Sequence, residues 1–200
     1  MIKLKRIIVA TRNRGKLKEI RELLEGCGCK ILSMDEAGIH EDIAENGLTF
    51  EENALIKARA IRRITGDIVL ADDSGLEIDF LNNAPGIYTA RFLGKDARDE
   101  DRWNAILKLM DGVPEQYRGA RFVCCAAVVS EDGEKTVTGV LEGRIANEAA
   151  GSNGFGYDPI FLVPEYGRTL AQLDSDTKNS ISHRGRAFRK VAELIKELAD

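Results

Sequence analysis

An α/β fold, with a mixed β-sheet flanked by helices, is what this sequence predicts, and three observations predict it. Two unbroken apolar runs, Ile7-Ile8-Val9-Ala10 and Ile68-Val69-Leu70-Ala71, read as strands covered on both faces. Between them lie segments of helical periodicity, with Leu17, Ile20, Leu23 and Leu24 in one and Phe50, Ala54, Ala58, Ile61 and Ile64 in the other. The centre of the chain then changes to strand, turn and strand: Arg121 to Ser130, the turn Glu131-Asp132-Gly133-Glu134, and Lys135 to Glu142.

Each element has a local reason. The first helix follows the polar segment Thr11-Arg12-Asn13-Arg14-Gly15-Lys16 and ends at Gly26. Ile31 to Met34 reads as a second strand, and Glu41 to Gly47 as an acidic loop. Thr49 and Glu52 form the capping-box pattern T-x-x-E, which opens a helix that stops near Gly66. The strand Asp67 to Ala71 is expected to end in a turn, Asp72-Asp73-Ser74-Gly75. Leu76 to Leu81 reads as extended and Asn82-Asn83-Ala84-Pro85-Gly86 as a turn. A helix is expected over Asp96 to Met110, with Trp103, Ile106, Leu107 and Met110 inward. The glycine-rich loop Gly151 to Pro159 precedes a short strand, Ile160 to Val163. The last helix, Ser182 to Ala199, carries Phe188, Val191, Ile195 and Leu198 on one face.

The 200 residues suffice for one domain, 1–200, with a core that needs no disulfide or structural metal. A net charge of -4 supplies no general attraction to nucleic acid or to an anionic membrane, so neither partner is expected. The contacts to any anionic ligand must then be local. The basic start Met1 to Arg6 is followed by an apolar run too short for a signal peptide, and no segment is long enough to span a membrane, so a cytoplasmic protein is expected. Cys27, Cys29, Cys124 and Cys125 lack a second Cys/His pair at zinc spacing and read as small apolar residues.

Five segments carry candidate chemistry. Asp72 and Asp73 follow a buried strand, where open α/β sheets bind their ligands; hard carboxylate oxygens suit Mg²⁺, and the residues equally suit an ordinary turn. Glu45, in Glu45-Asn46-Gly47, is a second carboxylate, with a solvated loop charge as its other reading. Thr11 to Lys16 place cations where the helix dipole disfavours them, a conflict that a phosphate would resolve. In the loop Phe155-Gly156-Tyr157-Asp158, an aromatic ring offers a stacking surface and Asp158 an acceptor, unless both aromatics pack on the core. Lys178 to Gly185 add cations and hydroxyls before the last helix, with His183 as a candidate donor.

In this order, from Ile8 to the final helix, the segments resemble the inosine triphosphate pyrophosphatase family, which acts on non-standard purine nucleoside triphosphates. The resemblance rests on Ala10 to Lys16, on Glu45 to Ala54 with Lys57-Ala58, and on Ala71 to Leu76. It continues through Ala84 to Phe92, Gly154 to Pro159 and Lys178 to Arg184. It implies a long mixed sheet with two lobes and a cleft between them, ITPase-like or Maf-like, in a homodimer that uses Mg²⁺. It also implies hydrolysis of XTP, ITP or dITP to the monophosphate and pyrophosphate. Carried over, Asp73 matches a metal-associated proton acceptor and Glu45 a metal-binding carboxylate. Thr11, Arg12, Asn13, Arg14, Gly15 and Lys16 match the triphosphate loop, and Ser74 a substrate contact. Phe155, Gly156, Tyr157, Asp158, Lys178, His183 and Arg184 match contacts to base and substrate. Asp72 keeps no role beyond support of the turn. Arg12 and Arg14 make the first loop more basic than in many relatives, and Thr177 stands where an acidic residue is common. A broader nucleotide pyrophosphatase, a phosphatase of sugar phosphates, or a non-catalytic nucleotide-binding or RNA-associated protein would carry some of the same features, although the acidic balance argues against RNA.

Overall fold

A computed structural model describes residues 5–199, and the side chains of 198 and 199 are not described. The inward placement expected for the Leu198 side chain, and Met1 to Leu4 of the basic start, therefore lie outside what is described. The strands are β1 (Arg6–Val9), β2 (Lys30–Ser33), β3 (Ile68–Ile78), β4 (Gly119–Ser130), β5 (Gly133–Ile145), β6 (Phe161–Val163) and β7 (Arg168–Thr169). The helices are α1 (Arg14–Leu23), α2 (Phe50–Thr65), α3 (Asp99–Leu109), α4 (Ser175–Ile181) and α5 (His183–Ala199). The strands lie in the order β2-β1-β3-β4-β5-β6-β7. β1 pairs parallel with β2 and β3, whereas β6 pairs antiparallel with β5 and β7, so the sheet is mixed as expected.

The chain forms two compact units. The first comprises the chain up to Asp73, Cys124–Gly139 and the chain from Arg184 onward; the second comprises Ser74–Val123 and Val140–His183. In the first, alternation along the strands separates two buried faces. Ile7, Val9, Leu70, Cys124, Ala126 and Val128 pack with Ile20 and Leu24 of the α1 region and with Phe188, Val191 and Ile195 of α5. Ile8, Ala10, Val69, Ala71, Ala127 and Val129 pack with Ala54, Ala58 and Ile61 of α2. In the second unit, Leu76 and Ile78 of β3 share a core with Ile106, Phe122, Phe161 and Leu170.

One expectation needs correction. The acidic segment is not a turn, because β3 runs without interruption from Ile68 to Ile78 through Asp72-Asp73-Ser74-Gly75. Turn-forming residues stay extended here because Leu76 and Ile78 beyond them are fully buried, which keeps the strand in register with the core. Lys178 precedes the last helix, as expected, and lies in a short helix of its own, α4, whose N-cap Asp174 accepts from the Thr177 N–H at 2.8 Å. Elsewhere the differences are small. α3 starts at Asp99 rather than Asp96, and Glu52 reaches back to the Leu48 N–H at 2.6 Å while Thr49 caps its own.

Candidate active site

In the first unit, α1 begins directly after the polar loop. Asn13 caps it by accepting from the Lys16 N–H at 3.0 Å, and Thr11 Oγ1 accepts from the Asn13 N–H at 3.2 Å. No acidic residue sits in the first turn of α1, so its positive end faces no carboxylate of its own. Arg12 donates to the Glu41 carbonyl at 2.8 Å, and Arg14 is exposed.

Because β3 continues as a strand, its two aspartates point to opposite faces. Asp72 is buried on the face of α1 and α5. Its Oδ1 lies 3.1 Å from Lys16 Nζ, and its Oδ2 accepts from Arg184 Nε at 3.2 Å and Nη2 at 3.0 Å. Cys124 Sγ donates to the same Oδ2 at 3.8 Å, and Arg184 Nη1 donates to Glu19 Oε2 at 2.6 Å. Burial works to raise the Asp72 carboxyl, but Lys16 and Arg184 outweigh it and hold the group far below the ordinary carboxylate range.

Asp73 faces α2. Its Oδ1 accepts from Lys57 Nζ at 3.2 Å and its Oδ2 from Asn53 Nδ2 at 3.2 Å; the same ammonium donates to Glu45 Oε2 at 3.0 Å. Glu45 is brought there by a tight approach of its loop to α2. The Gly47 N–H donates to Asn53 Oδ1 at 2.8 Å, and a Cβ on Gly47 would stand 2.7 Å from Glu52 Cβ. Burial raises the Asp73 carboxyl, and the pull of Lys57 and Lys16 does not fully offset burial together with Glu45 and Asp72. For Lys57, burial lowers the ammonium, and Asp73 with Glu45 prevail to raise it.

Among the described residues, no three His, Cys, Asp or Glu side chains cluster as a protein-only metal cage. Two carboxylates, Glu45 and Asp73, do converge on one cationic atom. That donor set fits Mg²⁺, which takes one or two carboxylates, several waters and the phosphates of a substrate.

In the second unit, the loop 151–159 closes around a carboxylate. Asp158 Oδ2 accepts from the Phe155 N–H at 2.9 Å and from Lys178 Nζ, whose ammonium lies 4.8 Å from the centre of the Phe155 ring. Asp99 at the start of α3 accepts from the Gly156 N–H at 2.9 Å. Tyr157 is buried and donates its hydroxyl to the Thr89 carbonyl at 3.0 Å. His183, also buried, stacks on Phe122 with ring centres 4.7 Å apart.

The sequence profile of the Ham1 family matches residues 7–194. The chain belongs to the Ham1 family. Among its relatives, a Bacillus subtilis protein named dITP/XTP pyrophosphatase is 46% identical over 196 residues, covering 98% of this chain and 99% of its own. A protein of the same name from Caldanaerobacter subterraneus is 48% identical, covering 95% of this chain and 96% of its own. Among solved structures, a HAM1 protein from Coxiella burnetii superposes with a TM-score of 0.88 at 43% identity, over 97% of this chain and all of that one.

This Ham1 chain brings its candidate residues together in separate groups. Lys16 and Arg184 meet at Asp72, and Glu45 meets Asp73 through Lys57. Phe155, Asp158 and Lys178 meet in the loop of the second unit. Ser74 lies half-buried in β3. Tyr157 packs in the core, the alternative open for the aromatics of this loop, and the Asp158 carboxylate accepts from its own loop. Sequence reasoning gave no role to Lys57, Asn53 or Glu19 and too small a role to Asp72. A signal for two of them was present: Asn53 and Lys57 fall on the same face of α2 as Ala54, Ala58 and Ile61. A polar pair on an apolar stripe needs buried partners.

Proposed function

We propose that this chain hydrolyses dITP, XTP and ITP to the nucleoside monophosphate and pyrophosphate, with Mg²⁺ as its metal. Full-length similarity to proteins named dITP/XTP pyrophosphatase supports the substrate class. The observation that carries the chemistry is the buried Asp73 carboxylate held between Asn53 and Lys57, with Glu45 on the same ammonium.

Glu45 and Asp73 would hold the metal, which when bound supplies positive charge to offset charge on the phosphate oxygens. Asp73 orients a water and takes its proton as the water oxygen bonds to the α-phosphorus. The bond from that phosphorus to the bridging oxygen breaks, and pyrophosphate leaves. Lys16 and the N–H groups at the start of α1 meet charge on the leaving pyrophosphate. The Phe155 ring, half-buried and braced by Lys178, would offer a stacking surface for a base. A preference for hypoxanthine and xanthine follows if donors meet the 6-oxo group where no 2-amino group fits. A homodimer would cover exposed apolar side chains such as Phe80, Tyr88 and Leu93. No described helix is long and apolar enough to cross a membrane, and a cytoplasmic enzyme of the nucleotide pool fits the acidic composition.

Asp73→Asn tests the reading. It keeps the shape and removes the base, so kcat for pyrophosphate release from dITP should fall by about 10²–10⁴-fold. Circular dichroism should stay as in the wild type. A folded variant with near-normal turnover would remove Asp73 from the mechanism.

A further inference from the structure

We propose that Asn53 is a positioning residue that spaces Glu45 and Asp73, its amide oxygen holding the loop of the first and its amide nitrogen the carboxylate of the second. This rests on the reading of those two carboxylates as the metal ligands. Asn53 lies in the first turn of α2 and is fully buried. Its Oδ1 accepts from the Gly47 N–H at 2.8 Å, and its Nδ2 donates to Asp73 Oδ2 at 3.2 Å. One side chain thus joins the two segments that carry the carboxylates.

The directions of these bonds carry the inference. A main-chain N–H can only donate, so Gly47 takes the amide oxygen and leaves the nitrogen for Asp73. The amide cannot turn over without losing both partners. Gly47 lets the loop come this close, because a Cβ there would stand 2.8 Å from Asn53 Oδ1. Lys57, one helical turn on, holds Asp73 by its other oxygen, Oδ1, and Glu45 by Oε2. The two supports differ in charge. An ammonium on the ligand oxygens opposes a divalent cation, whereas a neutral amide fixes the same carboxylate without repelling the metal. Hydrogen-bonded outer partners of this kind hold carboxylate ligands in place. Helix formation gives no reason for asparagine, which ranks below alanine and leucine inside a helix, and burying its amide is costly unless both ends are paired.

The test is Mn²⁺ affinity without turnover, followed by loss of the free-ion EPR signal, with the protein alone and with the α,β-imido analogue of dITP. Asn53→Ala should weaken Mn²⁺ binding by about 10–100-fold, the range for an outer partner of a metal ligand. Gly47→Ala, which pushes the loop off the amide, should weaken it by about tenfold. The double variant should be within about 3-fold of Asn53→Ala, because both changes break one bridge and are non-additive. The Mg²⁺ concentration for half-maximal pyrophosphate release from dITP should rise in step. A merely structural asparagine would lower Tm and leave the Mn²⁺ affinity of the folded protein as in wild type, and that result would overturn the proposal. Additive losses from Gly47→Ala and Asn53→Ala would do the same. If Asn53→Ala does not fold, Gly47→Ala decides, and wild-type affinity there overturns the proposal. Asp73→Asn is the control. Wild-type Mn²⁺ affinity in that variant, or no Mn²⁺ binding by the wild type, would remove the metal-ligand reading itself. Weakened binding in Asp73→Asn beside unchanged binding in Asn53→Ala would sink this inference alone.

Discussion

Lys57→Met isolates the clamp on Asp73. The side chain is buried, and its ammonium lies 3.0 Å from Glu45 Oε2 and 3.2 Å from Asp73 Oδ1. Methionine preserves most of the apolar stem, so the loss is chiefly that of a cation shared by two anions. Removing one partner of a fully buried pair costs about 3–5 kcal/mol. The side chain of Glu45 is 32% exposed and recovers water, which discounts its part. Asp73 is 7% exposed and keeps Asn53, so a net cost of about 2 kcal/mol is expected. For a chain of this length that corresponds to a fall in Tm of about 4–8 °C. Thermal unfolding in EDTA measures it, beside the double variant Lys57→Met/Asp73→Asn. The double variant should recover about half of the loss or more, because the buried charge is removed together with its partner. A Tm within about 1 °C of wild type, where more than one degree is expected per half kcal/mol, would refute the clamp. So would a double variant no more stable than the single one.

Two further outcomes follow from the same geometry. The folded Asp72 carboxyl lies below its ordinary value of 3.8, so its contribution to stability is complete above that pH and is lost as pH falls toward the folded value. Acid titration of urea midpoints should therefore show a shallower loss below pH 3.8 in Asp72→Asn than in wild type, and identical slopes would contradict the ion network. Gly154 has φ +75°, and a Cβ there would stand 2.0 Å from Asp158 Oδ2 and 3.1 Å from Lys178 Nζ. Gly154→Ala should displace the loop 151–159 and, on the proposal that Phe155 stacks on the base, raise KM for dITP by about tenfold, worth about 1.4 kcal/mol; an unchanged KM would separate that loop from the substrate.

Most of the fold was legible because its signals are local. Apolar runs marked β1 and β3, caps and periodicity marked α1 and α2, and Gly133 marked the hairpin of β4 and β5. What was missed depends on contacts between distant segments. Asp72-Asp73-Ser74-Gly75 has turn chemistry in isolation, and it stays extended because Leu76 and Ile78 beyond it are buried among distant residues such as Phe122, Phe161 and Leu170. The same alternation that was used to read the strands would have separated the two aspartates, had the strand been extended past Ala71. α4 has seven residues, too few for periodicity to declare it. Lys57 belongs to the stretch that carries the family resemblance, but no local rule says what a lysine on an apolar face will meet. Tyr157 and His183 share the opposite problem, since their residue types suit ligand contact and core packing equally.

The central claim is a pyrophosphate-releasing hydrolysis of non-standard purine triphosphates at the Asp73 site. The direct test gives the purified chain dITP, XTP, ITP, ATP and GTP with Mg²⁺ and measures pyrophosphate and orthophosphate separately. The account predicts pyrophosphate and monophosphate in equal amounts from dITP, XTP and ITP, with kcat/KM for ATP and GTP lower by at least about 10²-fold, the smallest discrimination expected against one extra or mismatched polar group. Orthophosphate as the first product, or equal turnover of all five nucleotides, would contradict it.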